Sequence, residues 1–379
     1  MHAGQNERQR SPAGPGREYG AVVVFAARLT VLGSLNMDIS VTVPDLPVPG
    51  ATVLGGAAVF APGGKGANQA VAAARLAGAA GMPVAMVGCT GDDEFGRTLR
   101  AALRAEGVDD GAVRAVAGVP TGIAMITVDR AGENMITVAP GANHEVAAAD
   151  IAVLATPDRS SPDPSSPDGP AATPDSPPPD DQVSAARDVL VISAEVPLPV
   201  IGAALAASAG RTLRVLNLAP APSRPAAAEL VALGPDWLVV NESEAAAVLG
   251  RAVAGLDEAA AAARDLVTAG AKNAVVTAGA AGAAYCGPDA PATATAPDSP
   301  RVITVPGFKV TAVDTVGAGD TFVGALAVAL AAGVQPADAV TAAAAAGAAA
   351  AARPGTQSGM PRPADVLAAT GHSWPVPSS

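Results

Sequence analysis

Asp320 stands directly behind Gly317, Ala318 and Gly319, where an apolar helical pattern begins in the stretch AVDTVGAGDTF. The start of a helix exposes unpaired N–H groups and a partial positive charge, so these three small residues could cradle an anion. A carboxylate aimed at the same spot repels that anion unless a proton is moved between reactants. The arrangement therefore suits a base that activates a hydroxyl toward a bound phosphate. The competing reading is a plain helix cap, a role aspartate often takes, and this stretch alone favours the cap.

Other polar residues stand where an α/β sheet would present them. APGGKGANQAVAAARLAG sets Gly63, Gly64, Lys65 and Gly66 at the head of a helix, with Asn68 one turn in. It does not fit a Walker A loop, because Val59 takes the first glycine position and Gly66 the Ser/Thr position. GAGDTF likewise fails the dinucleotide fingerprint at Phe322. A glycine turn used only for helix packing accounts for Gly63 and Gly66 separately, whereas a lysine and an amide at a ligand-facing helix start suit sugar hydroxyls. GSLNMD closes the first strand pattern with Asn36 and Asp38 two apart, on one face of an extended chain. Glu195 in ISAEVP is another polar residue at a strand end, the edge where open α/β sheets bind ligands. In NESEA, Asn241 and Glu244 have the spacing of a capping box, and Glu244 could instead organise a hydrated magnesium ion.

The elements that must carry these residues alternate. Short β-branched runs (RLTVLGS, PVAMVGC, DVLVIS, LRVLNLA, DWLVVN, NAVVTAG) are separated by alanine-rich helical patterns. This predicts an α/β fold: a mostly parallel sheet with helices on both faces. DISVTV with TVLGGAAVF, and TGIAMITVD with NMITVAP, break the rhythm as antiparallel strands about residues 39–62 and 120–140, expected to form a small β lid. The α/β domain is expected over 28–370, between a loose tail at 1–27 and a C-terminal tail at 371–379. Thr156 to Asp181 holds nine prolines and six aspartates against one arginine, so an insertion at 156–182 is expected to be disordered. A second loose loop is expected near Pro288 to Pro300.

Composition excludes several classes. A formal charge of −12 argues against a nucleic-acid binder. Cys89 and Cys286 are too few for a disulfide framework and lack metal-ligand spacing, which fits a reducing, cytoplasmic setting. The one long uncharged apolar stretch, the alanine-rich segment after Asp338, reads as a buried helix rather than a membrane span. AVVVFAA near the start lacks a cleavage pattern, so no signal peptide is expected. With 50% hydrophobic but only 2% aromatic residues, the core must be built from Ala, Val, Leu and Ile.

GSLNMD, GGKGANQAVAAARLAG, GCTGDDEFG, NLAPAP, NESEA, VPGFKVTAVDTVGAGDTF and RPGTQSGMP follow one another as in the ribokinase family of sugar kinases, which the chain resembles from Leu29 to Leu367 apart from the insertion and the loop near Pro288. The resemblance implies a ribokinase-like, Rossmann-like fold and transfer of the ATP γ-phosphate to the 5-hydroxyl of D-ribose. It implies Asp320 as the base, and an anion hole at Gly317, Ala318 and Gly319 whose last two N–H groups stabilise the transferring phosphoryl. Asn36, Asp38, Gly64, Lys65, Asn68 and Glu195 match the family's ribose contacts. Asn241, Thr277, Gly279 and Gly282 match its nucleotide contacts, Glu244 its magnesium-associated glutamate. An activating potassium ion is implied at the carbonyls around Asp314, Val316, Ala350, Arg353 and Gly355, although Gly359, beside Ser358, replaces a serine expected there. PGAT at Pro49–Thr52 lacks the usual glutamate of the lid entry. The resemblance also implies a homodimer paired through its lids. A kinase for deoxyribose, another sugar or a nucleoside is the alternative within enzymes, and a non-catalytic sugar or nucleotide sensor the alternative outside them.

Overall fold

The computed structural model describes residues 27–78, 81–155, 187–288 and 301–376. The N-terminal tail, the 156–182 insertion and nearly all of the loop near Pro288–Pro300 lie outside them. The first half runs β1 (Leu29–Leu32), β2 (Asn36–Thr42), β3 (Val59–Gly63), α1 (Lys65–Ala77), β4 (Val84–Gly91), α2 (Glu94–Ala105), β5 (Val108–Val116), β6 (Gly122–Val128) and β7 (Asn134–Ala139). After the undescribed stretch come β8 (Val189–Ser193), α3 (Leu198–Ser208), β9 (Leu213–Asn217), α4 (Arg224–Ala232), β10 (Trp237–Asn241), α5 (Glu242–Leu249), α6 (Gly255–Thr268), β11 (Ala274–Thr277), β12 (Gly282–Cys286) and β13 (Val302–Pro306). The chain closes with α7 (Ala318–Ala331), α8 (Pro336–Ala351), the single turn α9 (Thr356–Gly359) and α10 (Pro363–Thr370).

A nine-stranded sheet has the order β13-β12-β11-β10-β9-β8-β1-β4-β5. Pairing is parallel from β5 through β11 and antiparallel at the β12 and β13 edge. Strands buried on both faces alternate their side chains between two cores. Val31, Val191, Val215 and Val239 face α1, α7 and α8, whereas Leu32, Ile192, Leu216 and Val240 face the layer of α3 to α6. The chain leaves β1 to its β4 side first and returns to its β8 side later. The carboxyl ends of β1 and β8 therefore flank a topological switch point, where such sheets place ligands.

A second sheet, ordered β3-β2-β6-β7, stands beside the first. Its two hairpin-like pairs are antiparallel as the sequence predicts, and β2 joins them by running parallel to β6. GSLNMD needs a correction. The first strand ends at Leu32, and Asn36 and Asp38 instead open the lid strand β2. The reason lies in Gly64 and Gly66. A Cβ on Gly66 would stand 2.6–2.7 Å from backbone atoms of Gly33 and Ser34, and one on Gly64, at φ +90°, 2.7–2.9 Å from Ser34, Leu35 and Asn36. The head of α1 thus lies on the Gly33–Asn36 backbone, which turns there out of the main sheet.

Three strands escape the sequence reading. β5 carries Asp109, Asp110 and Gly111 and buries only alternate residues near its start, so it shows no apolar run. β12 and β13, GAAYC and VITVP, are short and stand on either side of the undescribed residues 289–300. The alanine-rich α8 is a core helix, and among the described residues no helix is long and apolar enough to cross a membrane. Beyond α10, Trp374 packs on the core and Val376 is buried.

Candidate active site

Helix α7 positions Asp320. Gly317, at φ +79°, caps the helix without a side-chain bond, and Asp320 sits in its first turn. The capping reading fails on geometry, because the Asp320 carboxylate bonds to another helix. Its Oδ2 accepts from Asn68 Nδ2 at 2.9 Å and its Oδ1 from Gln69 Nε2 at 3.1 Å. All three side chains are buried, Asp320 being 8% exposed and Gln69 0%. Close packing of α1 on α7 permits this clamp. A Cβ on Gly324, one turn beyond Asp320, would lie 2.7 Å from the Gln69 carbonyl oxygen and 2.9 Å from the Ala72 methyl.

Gln69 Nε2 also donates to Asn217 Oδ1 at 2.9 Å, and Asn217 Nδ2 donates to the Val239 carbonyl. The amide row therefore runs from α7 through α1 into the ends of β9 and β10. Sequence reasoning overlooked Gln69. Its signal was present in ANQAVAAARLA, where two adjacent amides interrupt a helix otherwise built to be buried.

Around Asp320 gather the charged groups expected from the sequence. Glu195, just past β8, accepts from the Ser34 hydroxyl and from the Lys65 backbone N–H at 3.2 Å. Burial, reinforced by the Glu195 and Asp320 charges and opposed by Lys65, pushes the Asp38 carboxyl up to about 7. The Asp320 charge, ahead of the burial that opposes it, holds Lys65 above its ordinary value, with Glu195, Glu244 and Asp38 assisting. Burial likewise raises Glu244, and Lys65 counters that rise while Asp320 adds to it. Four carboxyl groups thus share one ammonium. A site of this kind is suited to gripping hydroxyl groups and to drawing in further positive charge.

Asn36 has its Oδ1 engaged at 2.7 Å by Asn143 Nδ2. Asn143, 1% exposed in the turn after β7, also accepts from Leu35 N–H and donates to the Leu35 carbonyl. It pins the return of the lid to the strand that carries Asn36 and Asp38, and nothing in the local sequence pattern singles it out.

The remaining candidates occupy the β10 and β11 side. Asn241 and Thr277 are register partners at the ends of their strands. The capping box is present: Asn241 Oδ1 accepts Glu244 N–H at 2.8 Å, and Glu244 Oε2 accepts Asn241 N–H at 2.9 Å. Gly279, at φ +52°, borders open space, whereas Gly282, at φ +117°, lies against the backbone of Pro306 and Gly307. Glu244 joins this side to the carboxylate cluster through the mutual charges of Lys65 and Asp320.

Behind the head of α7, the 314–316 loop and the end of α8 are tied together. Val313 and Asp314 N–H donate to the Ala351 carbonyl, and the Asp314 carboxylate accepts N–H groups of Val316 at 3.0 Å and Gly355 at 2.9 Å. The Ala350 carbonyl accepts the Arg353 N–H at 3.0 Å. The Arg353 guanidinium turns away to Asp365. Ser358 Oγ bonds its own turn at the Pro354 carbonyl and does not stand in for the hydroxyl absent at Gly359.

Comparison with known proteins agrees with this architecture. The model of the pfkB family carbohydrate kinases matches residues 26–157 and 170–363. A ribokinase of Schizosaccharomyces pombe is 33% identical over 342 residues, 89% of this chain and 96% of that protein. A deoxyribokinase of Salmonella typhi is 31% identical over 79% of this chain and 84% of its own length. The solved structure of an Arabidopsis thaliana ribokinase complexed with ribose and ATP superposes with a TM-score of 0.70 at 26% identity, covering 92% of this chain and all of that one, 100%. The matched segments hold both sheets, the clamped Asp320 and the carboxylate cluster, and the chain belongs to the pfkB family of carbohydrate kinases.

Proposed function

We propose that this protein phosphorylates D-ribose at the 5-hydroxyl, using ATP and yielding D-ribose 5-phosphate and ADP. The observation that carries the reading is the Asp320 carboxylate, buried in the first turn of α7 and held by Asn68 and Gln69. A carboxylate fixed on both oxygens keeps its remaining lone pairs aimed at one place, and a hydroxyl there loses its proton as it attacks phosphorus. The Gly319 N–H, with Gly317 at the cap, would face the phosphoryl as its charge spreads, and the Ala318 N–H would join it on leaving the Thr315 carbonyl, to which it donates at 3.3 Å.

Asn36, Asp38, Gly64, Lys65, Asn68 and Glu195 take the sugar. Asp38 and Glu195 accept from hydroxyl groups while Lys65 and Asn68 donate, a division that follows from their chemistry. Asn241, Thr277, Gly279, Gly282 and Gly319 take the nucleotide, with Gly279 leaving room for it beside the sheet edge.

Glu244 suits a hydrated Mg²⁺: its Oε2 is held by the Asn241 N–H, which leaves the other oxygen for a water of the ion, and a cation there would offset the cost of burying the carboxylate. When bound, the ion neutralises triphosphate charge. The loops at Asp314, Val316, Ala350, Arg353 and Gly355 are brought together by the Asp314 bridge to Gly355 and offer backbone carbonyls, donors appropriate to K⁺. The exchange of serine for Gly359 removes one hydroxyl and leaves that carbonyl set in place.

A lid-to-lid homodimer is part of the proposal. Val59, Phe60, Met125, Ile136 and Val138 on β3, β6 and β7 are each roughly half exposed, an apolar surface that a second copy would cover. A cytoplasmic setting is supported by Cys89 and Cys286, both buried and unbridged.

The test is ATP consumption by the purified protein with Mg²⁺, comparing D-ribose, 2-deoxyribose, fructose and adenosine in potassium and in sodium. Turnover led by ribose and raised by potassium is expected. Preference for deoxyribose would keep the mechanism and replace the substrate, and no turnover with any acceptor would favour a sensor. Light scattering coupled to gel filtration is expected to give twice the 36.6 kDa chain mass.

A further inference from the structure

The motif RPGTQSGMP contributes carbonyls to the cation reading above, yet Gln357 at its centre has been given no task. Its Nε2 donates to Asn68 Oδ1 at 3.0 Å, and Asn68 Nδ2 donates to Asp320 Oδ2 at 2.9 Å. Ionised carboxylates only accept hydrogen bonds, so Asn68 must turn its NH₂ group to Asp320. Its carbonyl then points to Gln357, which must turn its own NH₂ group inward. The polarity of the row is fixed from one end to the other.

The Gln357 backbone is itself anchored. Arg75, at the end of α1, donates from Nη1 to the carbonyls of Gln357 at 2.6 Å and Met360 at 2.8 Å. Its other donors make a two-point pair with Glu106, Nη2 to Oε1 at 2.6 Å and Nε to Oε2 at 2.9 Å. The Arg75 side chain is 13% exposed and that of Glu106 22%, which places this fork largely out of water. Gly355, whose N–H is bound by Asp314, lies two residues before Gln357. One short segment therefore touches both the loop before α7 and the amide that orients Asp320.

We propose that Gln357 is a positioning residue for phosphoryl transfer: by holding the Asn68 carbonyl it keeps the Asn68 NH₂ on Asp320 and so keeps the base aimed. This rests on the reading of Asp320 as the base. Asp320 also faces Lys65 and shares its pocket with Asp38, Glu195 and Glu244. With four carboxyl groups around one ammonium, an inverted amide would present a carbonyl to a carboxylate with little nearby charge to compensate.

The decisive substitution is Gln357→Glu, which preserves length and shape but replaces the donor by an acceptor. Asn68 must then turn its NH₂ toward residue 357 and its carbonyl toward Asp320. The expected result is a loss of kcat of about 10- to 100-fold, larger than that of Gln357→Leu, from a protein that stays folded at the assay temperature although the added carboxylate lowers its melting temperature by a few degrees. Gln357→Leu is expected to cost little further kcat in an Asn68→Ala background, because its effect passes through Asn68. Near-parental turnover in Gln357→Glu, or losses that multiply in the double variant, would overturn the proposal. Asp320→Asn serves as the control for the base itself. The side-chain amide ¹H–¹⁵N signals of Asn68 supply a readout independent of turnover. They are expected to shift in Gln357→Glu, and an unmoved pair would refute the coupling even if the parent turned over no acceptor. That last result would refute the kinase reading on its own.

Discussion

Removing the Asp38 charge should stabilise the protein while weakening its grip on sugar. Asp38 is raised from 3.8 to about 7, first by burial and then by the Glu195 and Asp320 charges. Its folded value lies above its unfolded one, so its contribution to stability is fully present below about pH 4 and is lost as pH rises through about 7. The shift of roughly three units corresponds to about 4 kcal/mol at 1.36 kcal/mol per unit. Water reaching a partly exposed side chain lowers that figure, and about 2 kcal/mol is a reasonable expectation. Asp38→Asn is neutral at every pH and has nearly the same shape. Thermal unfolding without ligands should therefore show the variant melting a few degrees above the parent at pH 8. The gap should close as pH falls from about 7 to about 4. Equal or lower stability of the variant at pH 8 would refute the charge-crowding argument. The sugar should report the opposite effect. Loss of a charge-assisted acceptor is worth about 1.5–3 kcal/mol, so the sugar KM should rise by roughly 10- to 150-fold. The parent should also lose sugar affinity as pH falls below about 7, and the variant should not.

Asp320→Asn should retain sugar binding and lower kcat by about 10²–10⁴, since the amide keeps the shape but cannot take a proton; parental turnover would remove Asp320 from the base role. Gly324→Val should cost about 1–3 kcal/mol of stability by denaturant titration, and also turnover, because the added carbons meet the Gln69 carbonyl and the Ala72 methyl where α1 crosses α7. Asn143→Leu leaves the buried Leu35 N–H and carbonyl without their partner. It should cost about 2–5 kcal/mol by the same titration and raise the sugar KM through Asn36; a change in stability alone would detach Asn143 from the site.

Much of the fold was legible because the parallel strands are buried on both faces and read as continuous apolar runs, as in β8 (VLVIS) and β10 (WLVVN). β5 was not, since a strand at the sheet's end buries fewer positions and tolerates Asp109 and Gly111. The same contrast holds in the site. Gly317 to Asp320 could be singled out because a helix start, small residues and a carboxylate are neighbours along the chain, yet that stretch alone favoured a cap, a reading that the bonds to Asn68 and Gln69 overturn. Asn241 and Glu244 could be read both ways, as a cap and as a functional pair. The cap is built, and the Glu244 carboxyl that completes it also lies within reach of the Lys65 and Asp320 charges, so the two readings do not compete.

The amides were harder because their meaning is a matter of partners. Asn68 meets Asp320 across 252 positions, Gln357 meets Asn68 across 289, and Asn143 meets Asn36 across 107. A single sequence marks a buried amide only as an oddity in an apolar pattern, and Gln357, in an exposed-looking Gly/Ser turn, was not even that. What decides their roles is proton direction. A carboxylate can only accept, so Asp320 sets the orientation of Asn68 and Gln69, and those two set the orientation required of Gln357 and Asn217. The Asn217 end satisfies this requirement by donating its own NH₂ to the Val239 carbonyl. One carboxylate at the head of α7 thus fixes the polarity of every side-chain amide bonded to it, and exchanging any donor in the row for an acceptor should disturb that carboxylate more than deleting the donor would.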